Sequence, residues 1–292
     1  MEARMSNTQI HEGRTDSGLF FRRHGEASGS ALVLCHGLAS NSSRWNELGR
    51  KLKLPSGWCL LCPDLRGHGH SQQRGRLDSG IWMADLRELF AEQGLERVVL
   101  GGHCMGANLA LRMATHYPES VQGLILVEPM LPQARKGRMH VKSLLRWLLP
   151  LLAWVARGAN LAGISRGQRP VLDLEQLDRE TRSAMAREGG TQAMTSRYAS
   201  PLPDLQYIPT ASYLQALKET LRRLPPLERV TQPALGLVSN GGLFGDPELT
   251  RQALAGLPDC QVETLEAEHW IPTEQPEALR ELVSQWLFTR FG

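Results

Sequence analysis

Along the chain, short apolar runs rich in β-branched residues alternate with stretches whose apolar positions recur at helical intervals. The runs at 31–35, 58–62, 97–101, 124–128, 234–239 and 261–265 predict core strands. Between and after them, Trp45, Leu48 and Leu52 are spaced as one helix face, and Trp82, Leu86, Leu89 and Phe90 as another. Leu279, Leu282, Val283 and Trp286 predict a terminal amphipathic helix with Pro276 in its first turn. Strand and helix in alternation predict an α/β fold, a mostly parallel sheet flanked by helices on both faces. The rhythm breaks between residues 131 and 230, where helical and loop-like sequence replaces it. The expected organisation is therefore a core of residues 1–130 and 231–292, with a helical lid or cap, 131–230, inserted after the strand ending at Glu128. An insertion there stands over the carboxyl ends of the strands, where open α/β sheets place their ligands.

The insertion opens with an apolar run from Val141 to Val155, crossed by Arg146 and Pro150, too short and interrupted to span a bilayer. Three readings stay open for it: the lining of an apolar substrate tunnel, peripheral contact with a membrane surface, or a lid helix packed on its neighbours. Charge sharpens the picture. The whole chain carries +3, but residues 131–170 hold eight Lys and Arg with no acid, so this stretch is +8 and the remainder −5. Such a segment suits an anionic carrier thioester or an anionic surface, and equally a solvated basic face. No nucleic-acid partner is expected.

A length of 292 residues with 41% hydrophobic and 22% charged content fits one large domain with an insertion and excludes a disordered chain beyond about the first dozen residues. The five cysteines are odd in number and lack framework spacing, and the first residues lack the apolar core of a signal peptide, so a cytoplasmic location is expected. Cys59 and Cys62 match C-x-x-C only on paper. On a strand, positions three apart face opposite sides, which argues against a redox or metal pair.

One cysteine stands apart. Gly102-His103-Cys104-Met105-Gly106 follows a predicted strand and puts a thiol at the centre of a G-x-S-x-G-like pattern. The glycines of that pattern serve a sharp strand-to-helix turn in which side chains two positions either side would clash. At a helix N-terminus, backbone N–H groups and the dipole would favour the thiolate over a thiol of ordinary pKa, about 8.5. Cys104 is thus the candidate nucleophile; the alternative is a small buried cysteine between core elements.

Four segments together resemble the α/β-hydrolase superfamily. They are Leu34-Cys35-His36-Gly37-Leu38, Pro63-Asp64-Leu65-Arg66-Gly67-His68-Gly69-His70-Ser71, the Gly102 to Gly106 elbow, and Glu268-His269-Trp270. The resemblance covers nearly all of the chain and implies acyl-transfer or related chemistry by a nucleophile, a histidine and an acid. It implies His269 as general base and the backbone N–H groups of Leu38 and Met105 as the oxyanion hole. His36 would organise its loop. His68 and His70 lack further ligands at suitable spacing, so neither a metal nor a cofactor is expected.

The acid departs from the common pattern. Relatives usually carry it about 28 residues before the histidine, and counting back 28 from His269 lands on Gly241. Asp246 lies five residues on, before Pro247 and a helical pattern, where it reads as an N-cap and as the alternative acid. Glu128 is favoured, because it ends the next strand, 24 residues after Cys104, a place where some relatives carry their acid. A Cys–His dyad without a carboxylate also stays open.

A cysteine nucleophile implies an acyl-thioester intermediate, unlike the aspartate esters of related dehalogenases and epoxide hydrolases. Cysteine elbows occur in dienelactone hydrolases and in polyhydroxyalkanoate synthases and depolymerases. The expectation is a hydrolase of carboxylic esters or thioesters with a hydrophobic acyl group. About 30 residues ahead of the first core strand are short for a polyester synthase, which favours hydrolysis over the alternative of acyl transfer. A non-catalytic ligand-binding homologue is the second alternative, and the vacancy at Gly241 its best argument.

Overall fold

Strands buried on both faces need apolar side chains at nearly every position. Five of the six runs form such strands, and the sixth forms a half-exposed edge strand, in the computed structural model, which describes residues 10–26, 29–144, 146–162, 169–188, 198 and 201–292. They are β3 (Ser30–Cys35), β4 (Trp58–Pro63), β5 (Val98–His103), β6 (Val121–Val127), β7 (Ala234–Ser239) and β8 (Cys260–Leu265). Two further strands, β1 (Ile10–Arg14) and β2 (Phe20–His24), precede them. The sheet has eight strands in the order β1-β2-β4-β3-β5-β6-β7-β8. From β4 to β8 all neighbours run parallel, while β1 and β2 form an antiparallel hairpin that pairs antiparallel with β4.

Because side chains alternate across a strand, each core strand feeds two clusters. On one face Val33, Leu100 and Leu124 pack with Leu86 of α2 (Ser79–Glu92) and Leu109 of α3 (Met105–His116). On the other, Leu32, Val99, Ile125 and Leu235 pack with Leu48 of α1 (Asn46–Lys51) and with Val283 and Trp286 of the terminal helix (Pro276–Phe291). Full burial of each such aliphatic side chain stabilises the fold by about 1.5–3 kcal/mol. Cys59 and Cys62 fall into opposite clusters, as strand alternation requires, and all five cysteines are free. Pro276 occupies the first turn of the terminal helix, where a missing N–H costs nothing.

Between β6 and β7 the described residues form no named strand. They contain α4 (Gly137–Leu144), a 3-10 turn (Arg146–Leu148), α5 (Leu149–Leu161), α6 (Leu174–Glu188), α7 (Pro201–Asp204) and α8 (Thr210–Thr220). Three more helices complete the chain: α9 (Pro247–Ala255), α10 (Ile271–Glu274) and the terminal helix, α11. A third apolar cluster, Cys104, Met130, Ile208, Tyr213, Leu217 and Leu221, joins this helical stretch to the carboxyl edge of the sheet. Residues 1–9, Leu145 and Arg166, all invoked by the sequence reading, lie outside the described residues.

Candidate active site

β5 runs two residues past its predicted end, to His103, before the chain turns into α3. At the turn Cys104 has φ 51 and ψ −105. Its N–H donates to the Val127 carbonyl at 2.9 Å, and its own carbonyl accepts from Asn108 N–H at 3.1 Å. The flanking glycines are forced by contact: a Cβ on either Gly102 or Gly106 would lie 2.3 Å from the Cys35 carbonyl oxygen. Three non-glycine residues have positive φ among the described ones, Ala39, Cys104 and Glu128, and each borders this edge of the sheet. A residue in that region costs about 1–3 kcal/mol, which makes the clustering informative about function.

Glu128 follows directly on β6, its φ of 50 ending the strand one residue earlier than the apolar pattern predicts. Its N–H still donates to the Leu237 carbonyl at 2.9 Å, which anchors the turn to β7. The carboxylate uses both oxygens. Oε1 accepts from the Ser239 N–H, and Oε2 accepts from His269 Nδ1 at 2.9 Å. This bond puts the proton on Nδ1 and leaves the other ring nitrogen, Nε2, to share a side-chain hydrogen bond with Cys104. Burial disfavours the imidazolium, but the hydrogen bonds and charges of Cys104 and Glu128 outweigh it and push His269 up to about 10. Cys104, His269 and Glu128 are therefore brought together in space.

The other two acid positions are engaged differently. A Cβ at Gly241 would lie 2.6 Å from Glu268 Oε2 and 2.7 Å from the Ala267 carbonyl, so no carboxylate fits there without moving the loop that carries His269. Asp246 caps α9, accepting from the N–H groups of Glu248 and Leu249 at 3.0 and 3.1 Å. It also pairs with Lys136 at 2.6 Å, and that contact holds its carboxyl below the usual range.

The loop after β3 supplies the opposite wall. His36 Nδ1–H donates to the Gly37 carbonyl at 2.8 Å, and its Nε2 accepts from Leu65 N–H at 3.0 Å, so the ring ties two loops together. Buried Asp64 braces the same region, accepting from Ser42 N–H at 2.6 Å and from His70 N–H at 2.7 Å. Leu38 lines the cavity there, and Met105 opens α3, where an N–H has no carbonyl one turn earlier within the helix.

Two supporting residues escaped the sequence reading. His103 is buried, and its Nε2–H donates to the His269 carbonyl at 2.9 Å. Burial and the neighbouring His269 keep its imidazole well below the ordinary pKa, so it is neutral. Glu274 accepts from three consecutive N–H groups, those of Glu268, His269 and Trp270, at 2.9, 3.2 and 2.9 Å. The backbone carrying His269 is thereby fixed from both sides. The only sequence signal was an acid five residues after the histidine, which reads as ordinary surface charge.

Cys104 and His269 open onto a cavity of about 400 Å³, within the range of small-molecule sites. Its walls are mainly apolar and aromatic, including Met130, Leu174, Leu177, Phe244 and Trp270. Phe244 meets the His269 ring edge-on at 4.9 Å, shielding it from water. A polar corner is formed by Asp204 and Lys142. Burial pushes the Asp204 carboxyl up to about 7, against the pull of Lys142. Among the described residues, no group of three or more His, Cys, Asp or Glu is placed to hold a metal ion.

Comparison with known proteins gives the arrangement its context. Residues 30–271 match a family model described as the alpha/beta hydrolase fold. An uncharacterized protein of Mycobacterium tuberculosis is 37% identical over 101 residues, 34% of this chain and only 29% of its own length. The chain thus spans under a third of that relative. The sn-1-specific diacylglycerol lipase ABHD11 of Mus musculus is 22% identical over 267 residues, 90% of this chain and 82% of its own. Among solved structures, a thermophilic esterase from Thermogutta terrifontis superposes with a TM-score of 0.63 at 20% identity, covering 97% of this chain and all (100%) of that one.

Proposed function

The chain belongs to the α/β-hydrolase fold family, and from that premise we propose that it hydrolyses carboxylic esters or thioesters of an apolar acyl group through an acyl-thioester on Cys104. The observation that carries the reading is the 2.9 Å bond from His269 Nδ1–H to Glu128 Oε2, beside the strained cysteine that precedes α3. In the forward step the Cys104 thiol proton is held on His269 Nε2, as the imidazolium that Cys104 and Glu128 stabilise, and the Cys104 sulfur attacks the acyl carbon. The charge that forms on the carbonyl oxygen is accepted by the N–H groups of Leu38 and Met105. Collapse breaks the bond to the alcohol or thiol, which leaves with the proton returned from His269. Water then attacks the thioester, giving a proton to His269; collapse breaks the carbon–sulfur bond, releases the carboxylic acid and returns that proton from His269 to the Cys104 sulfur. Glu128 holds the tautomer and stabilises the imidazolium throughout.

The mostly apolar cavity favours an apolar acyl group, and the Asp204–Lys142 corner offers its polar end a partner. Names of relatives point the same way, since a lipase and an esterase both act on acyl esters. Mixing the protein with a chromogenic short-chain ester tests the reading. The expected result is a burst of product stoichiometric with enzyme, absent in Cys104→Ala. Turnover that survives Cys104→Ala would overturn it.

A further inference from the structure

The helices before residue 162 turn apolar side chains away from the protein. Val141, Leu144, Trp147, Leu151, Trp154 and Val155 are each 54% to 70% exposed. Steps of three and four residues put Val141 with Leu144 on one face of α4 and Leu151 with Trp154 and Val155 on one face of α5, with Trp147 on the 3-10 turn between them. The inward side is separately satisfied: Ala153 is buried, and Leu149 packs against the cluster containing Met130 and Ile208. Core packing therefore explains Ala153 and Leu149 and leaves the outer row unexplained, tryptophans included.

Next to this row runs an open groove bordered by Trp147 and Pro150. It is lined by five cations, Arg76, Arg146, Lys218, Arg222 and Arg223, against two carboxylates, Asp78 and Glu219. Both carboxylates are occupied. Asp78 pairs with Arg76 at 3.1 Å, and Glu219 with Arg222 and Lys218 at 3.1 and 3.6 Å. Arg146 and Arg223 are exposed and have no carboxylate partner among the described residues.

We propose that this face docks the protein onto an anionic phospholipid bilayer, with the apolar row entering the headgroup–acyl boundary and the groove receiving lipid phosphates. Tryptophan suits that boundary because its ring is apolar and its N–H polar, and basic residues beside an apolar helix face add attraction to anionic headgroups. No described helix is long and apolar enough to cross a membrane, so the contact is peripheral. Charge also distinguishes a bilayer from a second copy of the chain: a two-fold contact through the apolar row would bring two five-cation grooves close together. The face adjoins the cavity, since α4 carries Val141 and Leu144 on its outer side and Lys142 on the cavity wall. Docking stands independently of the reaction run at Cys104.

The test is cosedimentation of the full chain with vesicles of phosphatidylcholine alone, or of phosphatidylcholine and phosphatidylglycerol in equal parts. Binding is expected to the mixed vesicles, with a blue shift of tryptophan emission, weakening as salt is raised. The variants Trp147→Ser/Trp154→Ser and Arg146→Glu/Arg223→Glu should each weaken it by about tenfold or more, since they remove apolar burial and charge respectively. Both leave the cavity intact, and circular dichroism with thermal unfolding checks that they are folded. Equal retention on neutral and anionic vesicles would overturn the proposal, as would no binding or binding unchanged in folded variants. A dimer in sedimentation velocity that dissociates in Trp147→Ser/Trp154→Ser would overturn it too, because the row would then be covered by a second copy.

Discussion

Replacing Glu128 by glutamine keeps its size and tests what its charge does. The carboxylate accepts His269 Nδ1–H at 2.9 Å and the Ser239 N–H on its other oxygen. Glutamine can satisfy Ser239 with its carbonyl, but its amide then faces Nδ1–H with a second donor. The lost charge-assisted bond is worth roughly 1.5–3 kcal/mol, and at 1.36 kcal/mol per factor of ten this predicts a fall in kcat/KM of about 10- to 100-fold. The pH profile should move as well. Cys104 and Glu128 together raise His269 to about 10, so without Glu128 the imidazolium is lost at lower pH. The alkaline limb of kcat/KM should therefore shift down by about one unit or more. Steady-state hydrolysis of a chromogenic ester across the pH range reads both effects. Asp246→Asn, altering a helix cap away from the His269 imidazole, should stay within about twofold of wild type. If Asp246→Asn were the more damaging, or if Glu128→Gln kept both rate and profile, the assignment of the acid would fail.

Placing a carboxylate at the usual position should not help: in Gly241→Asp the new Cβ meets Glu268 and the Ala267 carbonyl, which predicts a loss of about 1–3 kcal/mol in thermal unfolding. Restoration of wild-type turnover in Glu128→Gln/Gly241→Asp would refute that steric argument. Asp64 is fully buried, and although burial alone would raise its carboxyl, hydrogen bonds from His70 and Ser42 help lower it to about 2. A depressed carboxyl stabilises the fold above its unfolded pKa of 3.8, and the gain is lost as pH falls through about 2. Asp64→Asn should accordingly cost roughly 2 kcal/mol in urea unfolding near pH 7, narrowing in acid. A deficit independent of pH would show that the charge is not what matters.

Much of this arrangement could be read from local pattern. β3 to β7 are buried on both faces, so their apolar runs stood out, and the elbow's glycines announced a turn that Cys35 makes sterically obligatory. Asp246 was legible as a cap because capping is a local matter between a side chain and the next turn. β1 was missed for the opposite reason: Ile-His-Glu-Gly-Arg lies at the edge of the sheet, largely exposed, and carries no apolar alternation. β2, Phe-Phe-Arg-Arg-His, lies inside the sheet, but its two arginines cut the apolar run short. The clash at Gly241 depends on Glu268, and the brace at Glu274 on a helix that doubles back on the His269 loop; neither has a signature in nearby residues. The run from Val141 to Val155 left three readings open, because its composition does not say which side of each helix faces the protein.

The proposed mechanism turns on acylation of Cys104. Intact-protein mass spectrometry of enzyme quenched during turnover of a slow ester reads this directly, with peptide mapping to locate the added group. One acyl group per chain is expected, carried on Cys104, labile to hydroxylamine at neutral pH as a thioester is, and absent in Cys104→Ala. An acyl group on another residue, or full turnover with none on Cys104 at any time, would contradict it.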